Sequence, residues 1–170
     1  MPGAIRASRV AHDAGVPVVA DLERADSPRF EELLALVNHL VVSETFARPI
    51  TGCASPESAI RALWSKGRSV VILTCGATGC WYAESPLSPH FFPAFRVEAR
   101  DTAGCGDVFH GAYVSSLARG RTLIERVKFA SAAAALYASA SGEDRIPRRT
   151  EVDHFQKAFE SKSLLAAKSS

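Results

Sequence analysis

Ser69-Val70-Val71-Ile72-Leu73-Thr74-Cys75-Gly76-Ala77-Thr78-Gly79 is the stretch from which the rest of the chain can be read. Its first half is apolar and β-branched without polar alternation, the pattern of a strand covered on both faces. Gly76 and Gly79 bracket a tight turn, and Cys80-Trp81-Tyr82-Ala83 reads as the returning strand. Upstream, Val16-Pro17-Val18-Val19-Ala20-Asp21 is a short apolar run closing on a carboxylate, with a strand expected from about residue 18. Leu40-Val41-Val42 is a second short strand. Helices fall between them. Residues 4–14 form one, stopped by Gly15 and Pro17. Ser27-Pro28 has the look of an N-cap with proline at the first helical position, and Phe30, Leu33, Leu34 and Val37 share one face of the helix it opens. Ser55-Pro56 repeats the signal ahead of Ile60, Leu63 and Trp64. Buried strands alternating with helices imply an α/β fold, doubly wound, with a mostly parallel sheet and helices on both faces.

Downstream the pattern continues. Ser85 to Pro93 holds Pro86, Pro89 and Pro93 and reads as a connection. Phe95-Arg96-Val97-Glu98-Ala99 alternates like a half-buried strand. A helix with Val108, Phe109, Ala112 and Leu117 ends at Gly120. Thr122 and Glu125 have capping-box spacing before an alanine-rich helix to about Ala140, which Gly142 stops. Thr150 is placed to cap a last helix through about Phe159.

With 170 residues, 47% of them hydrophobic and 22% charged, the chain can build a core without disulfides or a structural metal. A formal net charge of +2 gives no footprint for nucleic acid or for a membrane surface. Cys53, Cys75, Cys80 and Cys105 include no Cys-x-x-Cys pair, so neither a zinc site nor a secreted disulfide scaffold is expected, and a reducing cytoplasm is the expected compartment. No apolar run approaches the ~18 residues of a membrane helix. His12, His39, His90, His110 and His154 form no metal-binding spacing.

In an open α/β sheet, ligands bind beyond the carboxyl ends of the strands. Asp21, the Thr74–Gly79 turn and Asp101-Thr102-Ala103-Gly104-Cys105-Gly106-Asp107 are the segments expected there. The last is the most informative. Two glycines one residue apart, running into a helix, let backbone N–H groups converge where the helix N-terminus adds roughly half a positive charge. That combination suits a phosphate. A carboxylate beside bound phosphate would repel it, so Asp107 fits better as a base taking a hydroxyl proton during phosphoryl transfer. A structural reading stands beside this one, because Gly-x-Gly before a helix is common and aspartate in a first turn favours the helix dipole. The segment is not a Walker loop, lacking Gly-Lys-Ser/Thr. It is not the dinucleotide fingerprint, since Phe109 stands where a glycine is needed. Cys105 at a helix N-terminus could carry a depressed thiol pKa. Alternatively, it fills a small apolar space.

Residues Asp101 to Ala112 resemble the second signature of the PfkB/ribokinase family of carbohydrate kinases, Asp-Thr-x-Gly-Ala-Gly-Asp-x-Phe-x-Gly-Ala, with one departure, cysteine for alanine at 105. Val71 to Cys80 resembles the family's nucleotide-binding strand and turn. Ala132–Ala140 with Gly142, Ile146 and Pro147 resembles its C-terminal helix and following loop. Val18 to Arg24 is similar to its central Asp-x-Asn-x-Arg strand end. The likeness runs from about residue 4 to residue 160 and covers only the C-terminal part of the family. It implies a ribokinase-like fold incomplete at the N-terminus. Residues 1–160 would be the C-terminal, ATP-binding part of that domain and 161–170 a frayed tail. An exposed sheet edge would then favour a homodimer or aggregate.

Carried over residue by residue, the resemblance makes Asp107 the catalytic base. The backbone amides of Gly104, Cys105 and Gly106 become the anion hole, and Thr74, Gly76, Gly79 and Thr102 line the site of ATP. Mg²⁺ is the implied metal, and a sugar or related alcohol is the implied substrate. Where the family places a metal-linked Asn-x-x-Glu, this chain has Ser43 to Phe46, with Glu44 off register, so no metal ligand is assigned. Ser131 stands where members often place Asn or His near the adenine. Arg145, Arg148 and Arg149 read as a solvated basic loop rather than a phosphate clamp. The alternative to a kinase is a non-catalytic remnant that binds nucleotide or oligomerises.

Overall fold

The computed structural model describes residues 1–142 and 145–168. The chain forms two compact units, Met1–Pro93 and a second beginning at Ala94.

The first unit is built on a five-stranded sheet. Its elements are α1 (Pro2–Asp13), β1 (Val19–Ala20), α2 (Phe30–Ala35), β2 (His39–Ser43), α3 (Glu44–Thr51), α4 (Pro56–Ala62), β3 (Val70–Thr74), β4 (Gly79–Ala83) and β5 (His90–Pro93). The strand order is β1-β2-β3-β4-β5. The β1–β2 and β2–β3 pairings are parallel, and β3–β4 and β4–β5 are antiparallel. The sheet is therefore mixed. Its parallel half is joined by helical crossovers, while the few residues between β3 and β4 can only return antiparallel. Leu40, Val42, Val71, Leu73 and Ala83 pack with Phe30, Phe46, Ala47, Ile60 and Leu63 of the helices. Val41 and Ile72, which point the other way, are also fully buried, as expected for strands covered on both faces.

Asn38 sets the register of the parallel half. Its Oδ1 accepts from the Val18 N–H at 2.8 Å, and its Nδ2 donates to Gly67 O at 3.0 Å. Its own N–H donates to Val18 O, and its carbonyl accepts from the Ser69 and Val70 N–H groups. One residue thus ties together the starts of three strands.

Several local expectations change. Ser27-Pro28 forms a turn, and the helix begins at Phe30 with Ser27 O accepting the Phe30 N–H at 2.9 Å. Ser43 caps α3, a helix not anticipated because it is short and contains Pro49; the Ser43 hydroxyl accepts the Phe46 N–H at 3.1 Å. The proline-rich connection ends as strand β5. Proline is tolerated on an edge strand, where its missing N–H faces no neighbour. Trp81–Phe91 and Tyr82–His90 ring pairs, at 5.3 and 5.5 Å, join β5 to β4.

The second unit contains α5 (Cys105–Leu117), α6 (Leu123–Ser139) and α7 (Arg149–Lys168). Thr122 opens α6 through the expected capping box: its N–H and hydroxyl donate to the Glu125 carboxylate at 2.8 and 2.7 Å. Phe109, Tyr113, Val127, Ala130 and Val152 are buried. Phe95 to Ala99, expected as a strand, lies outside the five strands of the sheet. Phe95 instead packs on the rings of Phe155 and Phe159, at 5.4 and 4.8 Å, so its apolar side is satisfied by α7 rather than by a sheet. Helix α7 starts at Arg149, one residue before the expected cap Thr150, and its backbone continues past Phe159. The final two residues of the expected frayed tail lie outside the described residues, as do positions 143 and 144. No helix among the described residues is long and apolar enough to cross a membrane.

Candidate functional site

The sequence-derived site residues fall into two groups, one in each unit. In the first unit, Thr74 ends β3, and a 3₁₀ turn over Gly76–Thr78 leads into Gly79. The Cys75 N–H donates to Gly79 O at 2.8 Å and the Thr78 hydroxyl to Cys75 O at 2.7 Å, which closes the turn. Gly76 has φ +56 and Gly79 φ +130, conformations that side chains resist, so both glycines are required by the backbone. Gly76 is exposed and Thr74 half-buried, so the turn offers backbone and one hydroxyl at the carboxyl end of the sheet. Cys75 beside it is pushed up to about 11, first by burial and then by the nearby Glu44 carboxylate. It is a neutral thiol at physiological pH.

The second group surrounds the start of α5. Asp101 Oδ1 accepts the Ala103 N–H at 2.9 Å and forms a local turn. The Arg100 and Asp101 N–H groups donate to Ala138 O at 2.8 and 3.2 Å, joining this loop to the end of α6. Gly104 then adopts φ +83 as the N-cap of α5. A Cβ added there would stand 2.9 Å from Tyr137 Oη, while one added at Gly106 would meet nothing within 4 Å. The first glycine serves the turn and the close approach of α6; the second leaves open space over the helix N-terminus.

The first turn of a helix carries N–H groups without intrahelical acceptors. Here the Cys105 N–H donates to Thr102 O at 3.2 Å, and the Val108 N–H to Gly104 O at 3.0 Å. The Cys105 amide therefore already has an internal acceptor, whereas the family resemblance implies a place for it in the anion hole with those of Gly104 and Gly106. The Cys105 Sγ points to Ala134 O on α6 at 3.8 Å, and burial pushes its thiol pKa up, outweighing the lowering effect of Arg145. This geometry favours the small-filler reading of Cys105 over the depressed thiolate. Thr102 is exposed.

Two carboxylates flank the glycines with opposite circumstances. Asp101 is held below the usual carboxylate range, first by the Ala103 N–H and further by Arg145. Arg145 Nη1 lies 2.7 Å from Asp101 Oδ2, and Nη2 donates to Ala103 O at 3.0 Å. Asp107, in the first turn of α5, is exposed and has no hydrogen bond or ion pair among the described residues. His110, one turn on, is bonded through Nδ1 to Gly106 O at 2.7 Å. Arg145 was read from sequence as part of a solvated loop, yet its side chain is only 14% exposed and is bound to the motif. Its spacing of over forty residues from Asp101 gave no local signal.

Among the described residues, no group of three or more His, Cys, Asp or Glu side chains is placed to hold a metal ion. At the position the resemblance links to Mg²⁺, the Ser43 hydroxyl caps α3 and Glu44 is paired with Arg48 at 2.7 Å. Phe46 supplies no donor. These residues do not fit a magnesium site.

The profile of the pfkB family carbohydrate kinases matches residues 3–149. Ribokinase of Haemophilus influenzae is 32% identical over 161 residues, which are 91% of this chain and 52% of that protein. A crystal structure of an Agrobacterium tumefaciens protein classed as a ribokinase superposes with TM-score 0.85 at 30% identity, over 93% of this chain and 53% of that one. Arabidopsis thaliana ribokinase, complexed with ribose and ATP, superposes with TM-score 0.79 at 27% identity, over 91% of this chain and 52% of that one. The chain thus spans about half the length of the relatives it matches. With a ribokinase-like fold and a family match across most of its length, this chain belongs to the pfkB family of carbohydrate kinases.

Proposed function

We propose that this chain serves ATP-dependent phosphoryl transfer to a hydroxyl of a sugar or related alcohol, with Asp107 as the base. The observation that carries this reading is the contrast between the two motif carboxylates. Asp101 is fixed by Ala103 and Arg145, while Asp107 is exposed and unpaired among the described residues at the N-terminus of α5. The N–H groups of Gly104 and Gly106 and the positive end of the thirteen-residue α5 supply the anion site for the transferred group. Thr102, and in the other unit Thr74, Gly76 and Gly79, are assigned to ATP by the family resemblance. In the reaction, the substrate hydroxyl gives its proton to Asp107 and its oxygen attacks the γ-phosphorus. The bond from that phosphorus to the β–γ bridging oxygen breaks, and ADP leaves. The complexed ribose and ATP of the Arabidopsis relative support ATP as donor and a sugar as acceptor.

A second reading is a nucleotide-binding chain without turnover. It is favoured by Ser43 and Phe46 at the metal-linked positions. The test is ATP binding by calorimetry together with ADP release over a panel of sugars including ribose and fructose. Turnover that falls about 10²–10⁴-fold in Asp107→Asn, with ATP affinity kept within a few-fold, supports the base. Activity within a few-fold of wild type removes Asp107 from the mechanism. ATP binding with no turnover on any sugar selects the second reading.

A further inference from the structure

Three oxygens of the loop preceding the anion site converge on one side chain from a distant part of the sequence. Arg145 Nη1 is 2.7 Å from Asp101 Oδ2 and 3.5 Å from Asp101 O, and Nη2 donates to Ala103 O at 3.0 Å. The guanidinium carbon lies 4.0 Å from the centroid of the Tyr137 ring, the ring whose hydroxyl bounds Gly104. Arg145 is thus stacked on one wall of the loop and bonded to the other. A planar fork with several fixed donors suits this task, whereas a lysine ammonium would supply charge without the fork or the stacking. The surroundings favour a cation as well. Ala138 O, at the end of α6, already accepts two N–H groups of the loop, and the carboxyl end of a helix is negative.

We propose that Arg145 is the positioning residue of this anion loop. It acts through Asp101, Ala103 and Tyr137, holds the left-handed turn at Gly104, and so aims the Gly104 and Gly106 amides and the Asp107 carboxylate. It touches no reacting atom. As a statement about catalysis this rests on the phosphoryl-transfer reading; as a statement about loop order it does not.

The test therefore has two readouts on the full chain: amide hydrogen exchange of residues 100–108, and ATP affinity. Five amides of that segment are hydrogen-bonded, those of Arg100, Asp101, Ala103, Cys105 and Val108. In Arg145→Ala their exchange should accelerate at least about tenfold, the order expected when charged hydrogen bonds are lost, while residues 123–135 of α6 keep wild-type protection. ATP affinity should weaken in parallel. Methylguanidinium added to Arg145→Ala should restore protection where the same concentration of sodium chloride does not, and Arg145→Lys should restore it in part. Wild-type exchange in Arg145→Ala would overturn the proposal. So would equal acceleration across α6, which would make Arg145 a general fold residue, or a failure of both methylguanidinium and lysine to restore any protection. If the wild-type chain bound no ATP, the phosphoryl-transfer reading would fall while the exchange comparison still decided the loop clamp.

Discussion

Tyr137 and Gly104 share a space that admits only one of them a side chain: a Cβ on Gly104 would stand 2.9 Å from Tyr137 Oη. Gly104 also has φ +83, which disfavours any other residue independently of the contact. Gly104→Ala should therefore destabilise the second unit by about 1–3 kcal/mol, the range for backbone strain held in place by its surroundings. Adding Tyr137→Phe removes the hydroxyl but not the φ penalty, so denaturant melts of the double variant should recover only part of the loss. Full recovery would show that φ is not limiting.

Gly106 makes the opposite prediction. It lies in α5 with open space around it, so alanine there should leave stability unchanged or raise it by about 0.5–1 kcal/mol. The added methyl would stand over the helix N-terminus. ATP affinity should fall while the melting temperature does not, and unchanged affinity would move the phosphate away from this amide.

The cysteines should be slow nucleophiles. Burial raises the Cys105 thiol, and burial with Glu44 pushes Cys75 to about 11. Both should be alkylated by iodoacetamide at neutral pH more slowly than a free cysteine of pKa about 8.5. Peptide mass spectrometry over a short time course measures this. Labelling of Cys105 faster than free cysteine would restore the thiolate.

Acid should release the loop. The Asp101 pKa is depressed in the folded chain, so its contribution is complete above the ordinary aspartate value of about 3.9 and is lost as pH falls through the lower folded value. Glu125, depressed by its bonds from Thr122, has the same sign. Stability measured from pH 7 downward should show a wild-type loss below about pH 4 that is smaller in Asp101→Asn. Equal acid sensitivity in the two proteins would mean that Asp101 is not linked to folding.

Thr122→Ala removes one half of the α6 capping box, with its 2.7 Å bond to Glu125. A loss of about 0.5–2 kcal/mol is expected, read from the denaturation midpoint. A neutral substitution would place the start of α6 under the control of packing alone.

Local chemistry made much of this legible. The β3 run, the Ser55-Pro56 helix start, the Thr122–Glu125 box and the glycine-bracketed turns appear in the structure as read, because each depends on residues within one turn or one strand. The stretch from Asp101 to Ala112 resembles the family signature on its residues alone, and the family match over residues 3–149 bears it out.

Failures of that reading share a cause. The alternation at Phe95–Ala99 specifies a half-buried extended segment but not its partner, and Phe95 found the rings of Phe155 and Phe159 instead of a strand. The prolines around His90–Pro93 argue against a central strand, yet an edge accepts them. A cysteine at a helix N-terminus has one pKa tendency if its sulfur meets the amides and another if it turns to a carbonyl of α6, which is the direction taken. Arg145 lies more than forty residues from Asp101, and nothing in its neighbours distinguishes it from Arg148 or Arg149. Sequence by itself determined the β3 strand, the helix starts at Ser55-Pro56 and Thr122, the glycine turns and the motif that carries the family resemblance. Tertiary structure alone decided which side chains meet across the chain, because burial, stacking and convergent hydrogen bonds depend on distance in space, which residue order does not specify.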